Sequence, residues 1–242
     1  MNEKNNNFVA PALVLGVCLA IGIILAGYFF AAGVMETRRG DRTVTVRGLA
    51  EREVTADWVA WPLTFRVTGK DLSILQDSIT RNRKLIIDFL LKQGFPAAEI
   101  TTRPPNTVDV EAQSYNNNQE RPFRYIATTT VMLQTKDVRR VLAAMEVAGD
   151  LIQQGVVLGG EEYANARPEF QFTALNDLKP AMLQEANQNA RKAAAKFGDD
   201  SASAIGAIRK ANQGLFEIRD RDTNTPDQKI IRVVTQVEYF LK

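Results

Sequence analysis

Residues 8–35 read FVAPALVLGVCLAIGIILAGYFFAAGVM, an apolar run without one charged or amide side chain. Such a run fixes the environment of a chain before it fixes a fold. As a helix it would be about 42 Å long at about 1.5 Å per residue, against roughly 30 Å for a bilayer core. Fourteen of its residues are Leu, Ile, Val or Phe. Each favours insertion by roughly 0.3–0.6 kcal/mol near the bilayer centre. Tyr28, Phe29 and Phe30 fall where an aromatic belt lies, and Arg38, Arg39 and Arg42 follow. Ala31, Ala32 and Gly33 offer small residues for signal cleavage, but a signal peptide has an apolar core of only about 7–15 residues. The expected organisation is a flank at 1–7, a transmembrane helix at 8–35, a charged linker at 36–42 and a soluble domain at 43–242, with room for two lobes.

Cys18, the single cysteine, sits inside the run after Val17, which does not suit a lipoprotein cleavage site, so it reads as a plain thiol in the span. Ala12, Gly16 and Ala20 recur every four residues and put small atoms on one helix face, a weak sign of self-association. Orientation is contested. Lys4 stands before the run and three arginines after it, so counting Lys and Arg keeps the larger part in the cytoplasm.

The chain contains no histidine and no second cysteine. That removes Ser-His-Asp and Cys-His catalysis together with thiolate and histidine metal sites. A net charge of +2 with interspersed signs does not make a nucleic-acid surface. No catalytic, cofactor-binding or metal-ligating residue is assigned, no cofactor is expected, and the chain is not expected to be an enzyme.

Beyond residue 42, Thr43-Val44-Thr45-Val46 alternates as a strand does. Val59, Trp61, Leu63, Phe65 and Val67 make the core face of a second strand, with Trp58, Ala60, Thr64, Arg66 and Thr68 on a wetter face. Pro62 lacks a donor, which marks an edge or a bulge. Asp71 is placed to cap a helix with Leu72, Leu75, Ile79, Ile86 and Leu90 inside, ended by Gly94. Residues 100–112 are extended but broken at Pro104-Pro105, 113–122 form a polar turn, and 125–134 return as a strand. A second helix spans 138–153, with Val138, Val141, Leu142, Met145 and Ile152 on its inner side. Extended chain follows at 156–158 and at Phe170 and Phe172. Asn176 can cap a third helix, with Pro180 in its first turn and Leu178, Met182, Ala186, Ala190, Ala193 and Phe197 inside. Strands at 206–219 and 230–241 close the chain, with Ile231, Val233, Val237, Tyr239 and Leu241 on one face and Thr235 as a polar exception. Hairpin pairs separated by helices predict an α+β fold of antiparallel sheet with packed helices.

Four segments carry a resemblance to a known family. They are Thr43-Val44-Thr45-Val46-Arg47-Gly48 with Glu53-Val54-Thr55-Ala56-Asp57; Gly94-Phe95 with Glu99-Ile100-Thr101-Thr102; the alanine-spaced stretch Leu178-Lys179-Pro180-Ala181-Met182 through Ala194; and Gly206 to Ile208 with Lys210-Ala211-Asn212-Gln213-Gly214, followed by Arg232-Val233-Val234-Thr235 and Tyr239-Phe240-Leu241. From about residue 42 to 242 the chain resembles the SIMPL domain family, in the branch that keeps an amino-terminal membrane helix. The resemblance implies a bacterial envelope protein whose domain lies on the periplasmic side of the inner membrane, against the arginine count. It supplies no catalytic residues and implies an assembly or interaction module.

Other clusters read more simply as surface. Asp220, Asp222 and Asn224 start like a calcium loop, but Thr225 and Ile231 stand where Gly and Glu are required. Asp199-Asp200 with Ser201 and Ser203 reads as a helix exit, and Glu161-Glu162 as neighbours on opposite strand faces. Arg219, Arg221 and Lys229 read as a solvated loop with headgroup or partner contact as the alternative, and Gly159-Gly160 as a turn. The partners expected are the bilayer and further copies of the chain, paired through sheet edges near Pro62 or at the last strand. A periplasmic binding module for a small ligand or peptide, and a pore of bundled anchors, are the competing readings.

Overall fold

The computed structural model describes residues 9–39, 42–112, 122–159 and 167–242. A single apolar helix, α1 (Val9–Arg39), precedes the rest and runs on through the charged residues after the apolar stretch. Its segment Leu13–Ala31 is long and apolar enough to cross a membrane or to serve as a signal sequence, and none of it is buried within the chain. The remainder is α+β, with antiparallel sheets and packed helices. It divides into two compact units. Unit 1 comprises Met1–Ala50, Ala181–Phe216 and Val233–Lys242, and unit 2 comprises Glu51–Pro180 and Glu217–Arg232.

Unit 2 is built on β2 (Trp58–Gly69), paired antiparallel with β5 (Tyr125–Thr135) in unbroken register from Val59↔Thr135 to Gly69↔Tyr125. The far edge of β5 takes β3 (Ile100–Thr102) and then β4 (Asn106–Asp109), interrupted at the two prolines. On its other side, β2 pairs with β6 (Glu169–Gln171) through Trp58, Val59 and Ala60 only. Past that point the next backbone bond on this side runs from Gly159 N–H to Thr64 O (2.8 Å). Among the described residues Pro62 therefore sits between two partners, where a missing donor costs little; β2 is interior by strand order.

Strand alternation sets the core. Val59, Trp61, Leu63, Phe65 and Val67 are buried as the period of two requires. They pack with Leu75, Ile79, Ile86 and Leu90 of α2 (Leu72–Lys92) and with Val141 of α3 (Val138–Glu146) and Leu151 of α4 (Gly149–Gln153). Three local expectations fail here. Leu72 is exposed, because the stripe begins one turn later. Asp71 holds the N-cap position without a side-chain cap bond. The helix expected over 138–153 breaks after Glu146 and restarts at Gly149, a phase change that buries Leu151 and exposes Ile152.

In unit 1, β1 (Thr43–Thr55), β9 (Gln228–Leu241) and β7 (Ile205–Gln213) lie in the order β1-β9-β7. In unit 2, β8 (Glu217–Asp220) pairs with Lys229 to Arg232 of β9. β1 runs unbroken through Glu51-Arg52-Glu53. β9 is interior, which corrects the last strand as a free pairing edge. Helix α5 (Leu175–Asp200) begins before Asn176, so Asn176 lies in its first turn and Pro180 lies beyond that turn, inside the helix. The buried face of α5 is Met182, Ala186, Ala190, Ala194 and Gly198, whereas Ala193 and Phe197 are exposed. Steps of four fall about 40° past a full turn each, so the stripe winds as it follows the twisted sheet.

Candidate functional site

Two surfaces are worth building from their residues. The first is a cleft of about 460 Å³ in unit 2, lined by Trp58, Pro96, Glu99, Lys136, Asp137 and Arg140 among others. It lies at the start of α3. Asp137 caps that helix by accepting from Arg140 N–H (3.1 Å), and its own N–H donates to Thr135 Oγ1 (3.1 Å). The Arg140 side chain is held three ways. Its Nε pairs with Asp137 (3.1 Å), its Nη1 donates to Gly94 O (2.7 Å), and the guanidinium lies over the Phe95 ring at 5.9 Å. Gly94 is at φ +87°, a region that favours glycine. Asp137 and Arg140 are thus engaged in joining α3 to the end of α2. Among the described lining, the Trp58 surface, Lys136 and Glu99 remain for a ligand.

The second surface is the margin of the unit 1 sheet. Among the described residues, no strand pairs with the outer edge of β7, and the chain from Ala207 to Gln213 is exposed on both faces. Ile208 is 57% exposed. In register, Ile208 and Ala211 stand beside Tyr239 and Val237, which are buried under α5. The helix therefore covers β1 and β9, touches β7 only at Ile205, and leaves the same face of β7 bare from Ala207 to Gln213. On the opposite face Glu238 is held below the usual carboxylate range, first by the Thr43 hydroxyl and then by Arg209, whose Nη1 lies 3.0 Å away.

The clusters noted in the sequence resolve into local structure. Asp222 Oδ1 accepts from the N–H groups of Asn224 and Thr225 (both 2.8 Å), and Oδ2 faces Arg221 (3.1 Å). The Thr225 hydroxyl, then Arg221, then the Asn224 N–H lower the Asp222 pKa to about 2. Its oxygens are occupied by a turn. Asp220 bonds Lys229, which is 7% exposed. Arg221 pairs with Glu53 as well as Asp222, so within the Arg219, Arg221 and Lys229 group two cations already have anionic partners. Asp200 pairs with Lys196 (2.7 Å) at the end of α5, and Ser203 donates to Ser201 O. Glu161, Glu162 and Gly160 lie outside the described residues, as do 113–121 of the polar turn. Gly159 is at φ +108°. Cys18 is exposed on α1, and a side chain added at Gly16 would meet nothing within 4 Å.

One contact had no signal in the sequence. Asp57, in the turn after β1, accepts from Thr173 N–H (2.7 Å) and Ala174 N–H (2.9 Å), just ahead of α5. Both precede the first residue of α5, so Asp57 fixes the approach to the helix. The contact closes more than a hundred residues of chain, so no local pattern announces it.

A search among curated proteins found no match. The family model SIMPL, described as a protein of unknown function (DUF541), matches residues 44–234, from the second residue of β1 to the middle of β9. The match takes in β7 and the lining of the cleft, and stops short of the end of β9 that pairs with β7. The chain belongs to the SIMPL family.

Proposed function

We propose that this is a single-pass protein of the bacterial inner membrane whose periplasmic SIMPL domain self-assembles into a homo-oligomer without catalysing a reaction. Helix α1 is the anchor, since a helix apolar on every side is a membrane element rather than a surface one. The observation that carries self-assembly is β7, an edge strand bare on both faces with an exposed Ile208. Unpaired edges are templates for another chain. The periplasmic placement follows from the family resemblance, and the absence of histidine favours a non-enzymatic role. Light scattering of detergent-extracted full-length protein tests the reading. A discrete multimer is expected, and a strict monomer overturns it.

The Trp58–Arg140 cleft supports a second reading, a weak binding module for a small ligand or peptide. A thermal-shift screen over envelope metabolites and peptides tests it through ligand-dependent stabilisation.

A further inference from the structure

We infer that the partner of the bare β7 is the opposite margin of the same sheet in the next copy: its β1 edge and the flank of α5 that overhangs that edge. The inference rests on the self-association proposed above and names its interface.

The flank is identified by a hydrogen bond. Arg42 O accepts from Leu241 of β9. Carbonyls along an antiparallel strand alternate between its two edges, so the Leu49 carbonyl, seven residues on, points to the free edge of β1. Asn189 Nδ2 donates to that carbonyl at 2.8 Å. Asn189 therefore marks the side of α5 that overhangs the free edge. Ala193 follows it by four, one residue before the buried Ala194, as Asn189 precedes Ala190. It lies on the same flank and is exposed.

The two margins match in chemistry and level. One offers exposed Ala193, the other exposed Ile208 and Ala211. Gly198 stands against the Ile205 side chain, so α5 reaches the start of β7 only in its last turn. Ile208 pairs with Tyr239, and Tyr239 shares a buried cluster with Val44 and Ala194. Ile208 thus lies near the height of Ala193. A second copy set beside the first, its β1 next to β7, brings its α5 flank over the face of β7 that the first copy's own helix leaves bare.

Direction agrees as well. β1 and β7 both flank β9, and β7 pairs antiparallel to it. Leu241, near the end of β9, bonds Arg42 at the start of β1, so β1 and β7 run parallel. Copies held upright in one membrane keep that direction, and the new pair continues the sheet in parallel. Since the two margins differ, the contact is heterologous, and repeating it gives a ring where the rotation closes and an open row where it does not.

Cysteine cross-linking of full-length protein in membranes tests this in a Cys18→Ser background. Within one copy, Ile208 and Ala193 are separated by roughly two strand spacings of about 4.8 Å plus the overhang, beyond disulfide reach of about 7 Å between Cα atoms. Ile208→Cys combined with Ala193→Cys is expected to give an oxidant-dependent ladder extending past the dimer. Each single variant is expected to give none. No ladder from this pair, while an amine cross-linker still captures oligomers of the Cys18→Ser protein, overturns the interface and leaves self-association standing. No oligomer with either reagent removes both. Separately, Ile208→Lys is expected to weaken association about tenfold or more by light scattering, and undiminished assembly counts against the proposal.

Discussion

Gly48 lies so close to Ala190 that a methyl group at position 48 would stand 2.4 Å from the Ala190 nitrogen and 1.9 Å from the Ala186 carbonyl oxygen. The obstacle is helix backbone, which cannot swing aside. Gly48 and the alanine stripe are two halves of one requirement, that α5 rest directly on β1. Gly48→Ala is expected to cost about 1–3 kcal/mol or more, as overpacking does, read as a lowered melting temperature of the detergent-extracted protein. Gly16→Ala in α1 is the control. It meets nothing within 4 Å and should leave the melt unchanged.

Asp57 holds the entry to α5 through two backbone donors, Thr173 and Ala174. Asp57→Ala leaves both without their acceptor. A loss of about 1.5–3 kcal/mol, the range for hydrogen bonds to a charged group, is expected in chemical denaturation. Hydrogen exchange at Thr173 and Ala174 should accelerate more than exchange in β5, and equal acceleration in both places would mean that Asp57 supports something broader.

Thr235 shares the buried face of β9 with Val233 and Val237, and its Oγ1 has no hydrogen-bond partner among the described residues. A buried hydroxyl without a partner costs roughly 1–3 kcal/mol. Thr235→Val keeps the shape and removes the hydroxyl, so a gain of about 1 kcal/mol is expected in the denaturation midpoint. A loss instead would reveal a partner for the hydroxyl.

Asp222 supplies a pH signature. Its pKa is lowered from 3.8 to about 2 in the folded chain, so its contribution to stability is complete above the ordinary value and fades as pH falls through the folded one. Wild type should exceed Asp222→Asn in melting temperature at neutral pH, and the gap should close as pH approaches 2. A gap that stays constant would show that the carboxylate's charge is irrelevant to the turn.

Periodic burial was legible in the residues. Val59 to Val67, Leu75 to Leu90 and Ile231 to Tyr239 declare their inner faces, because one period governs each element. Phase changes were not. Ile152 is misassigned since the break after Glu146 has no proline to mark it, and Ala193 and Phe197 since a stripe in steps of four drifts round its helix. The candidate surfaces were the least legible. Whether β7 is covered depends on where α5 rests, and that is fixed by Gly48, some 160 residues away in the chain. The Asp57 contact is hidden for the same reason, because spacing along a sequence carries no information about closure between distant segments.

Within unit 1, β1 lies beside β9, and Arg42 bonds Leu241. The strand that opens unit 1 must therefore wait for about 200 residues of chain before it has this neighbour. Contacts of such long separation form slowly, and until β9 arrives both edges of β1 stand open to any other strand that meets them first.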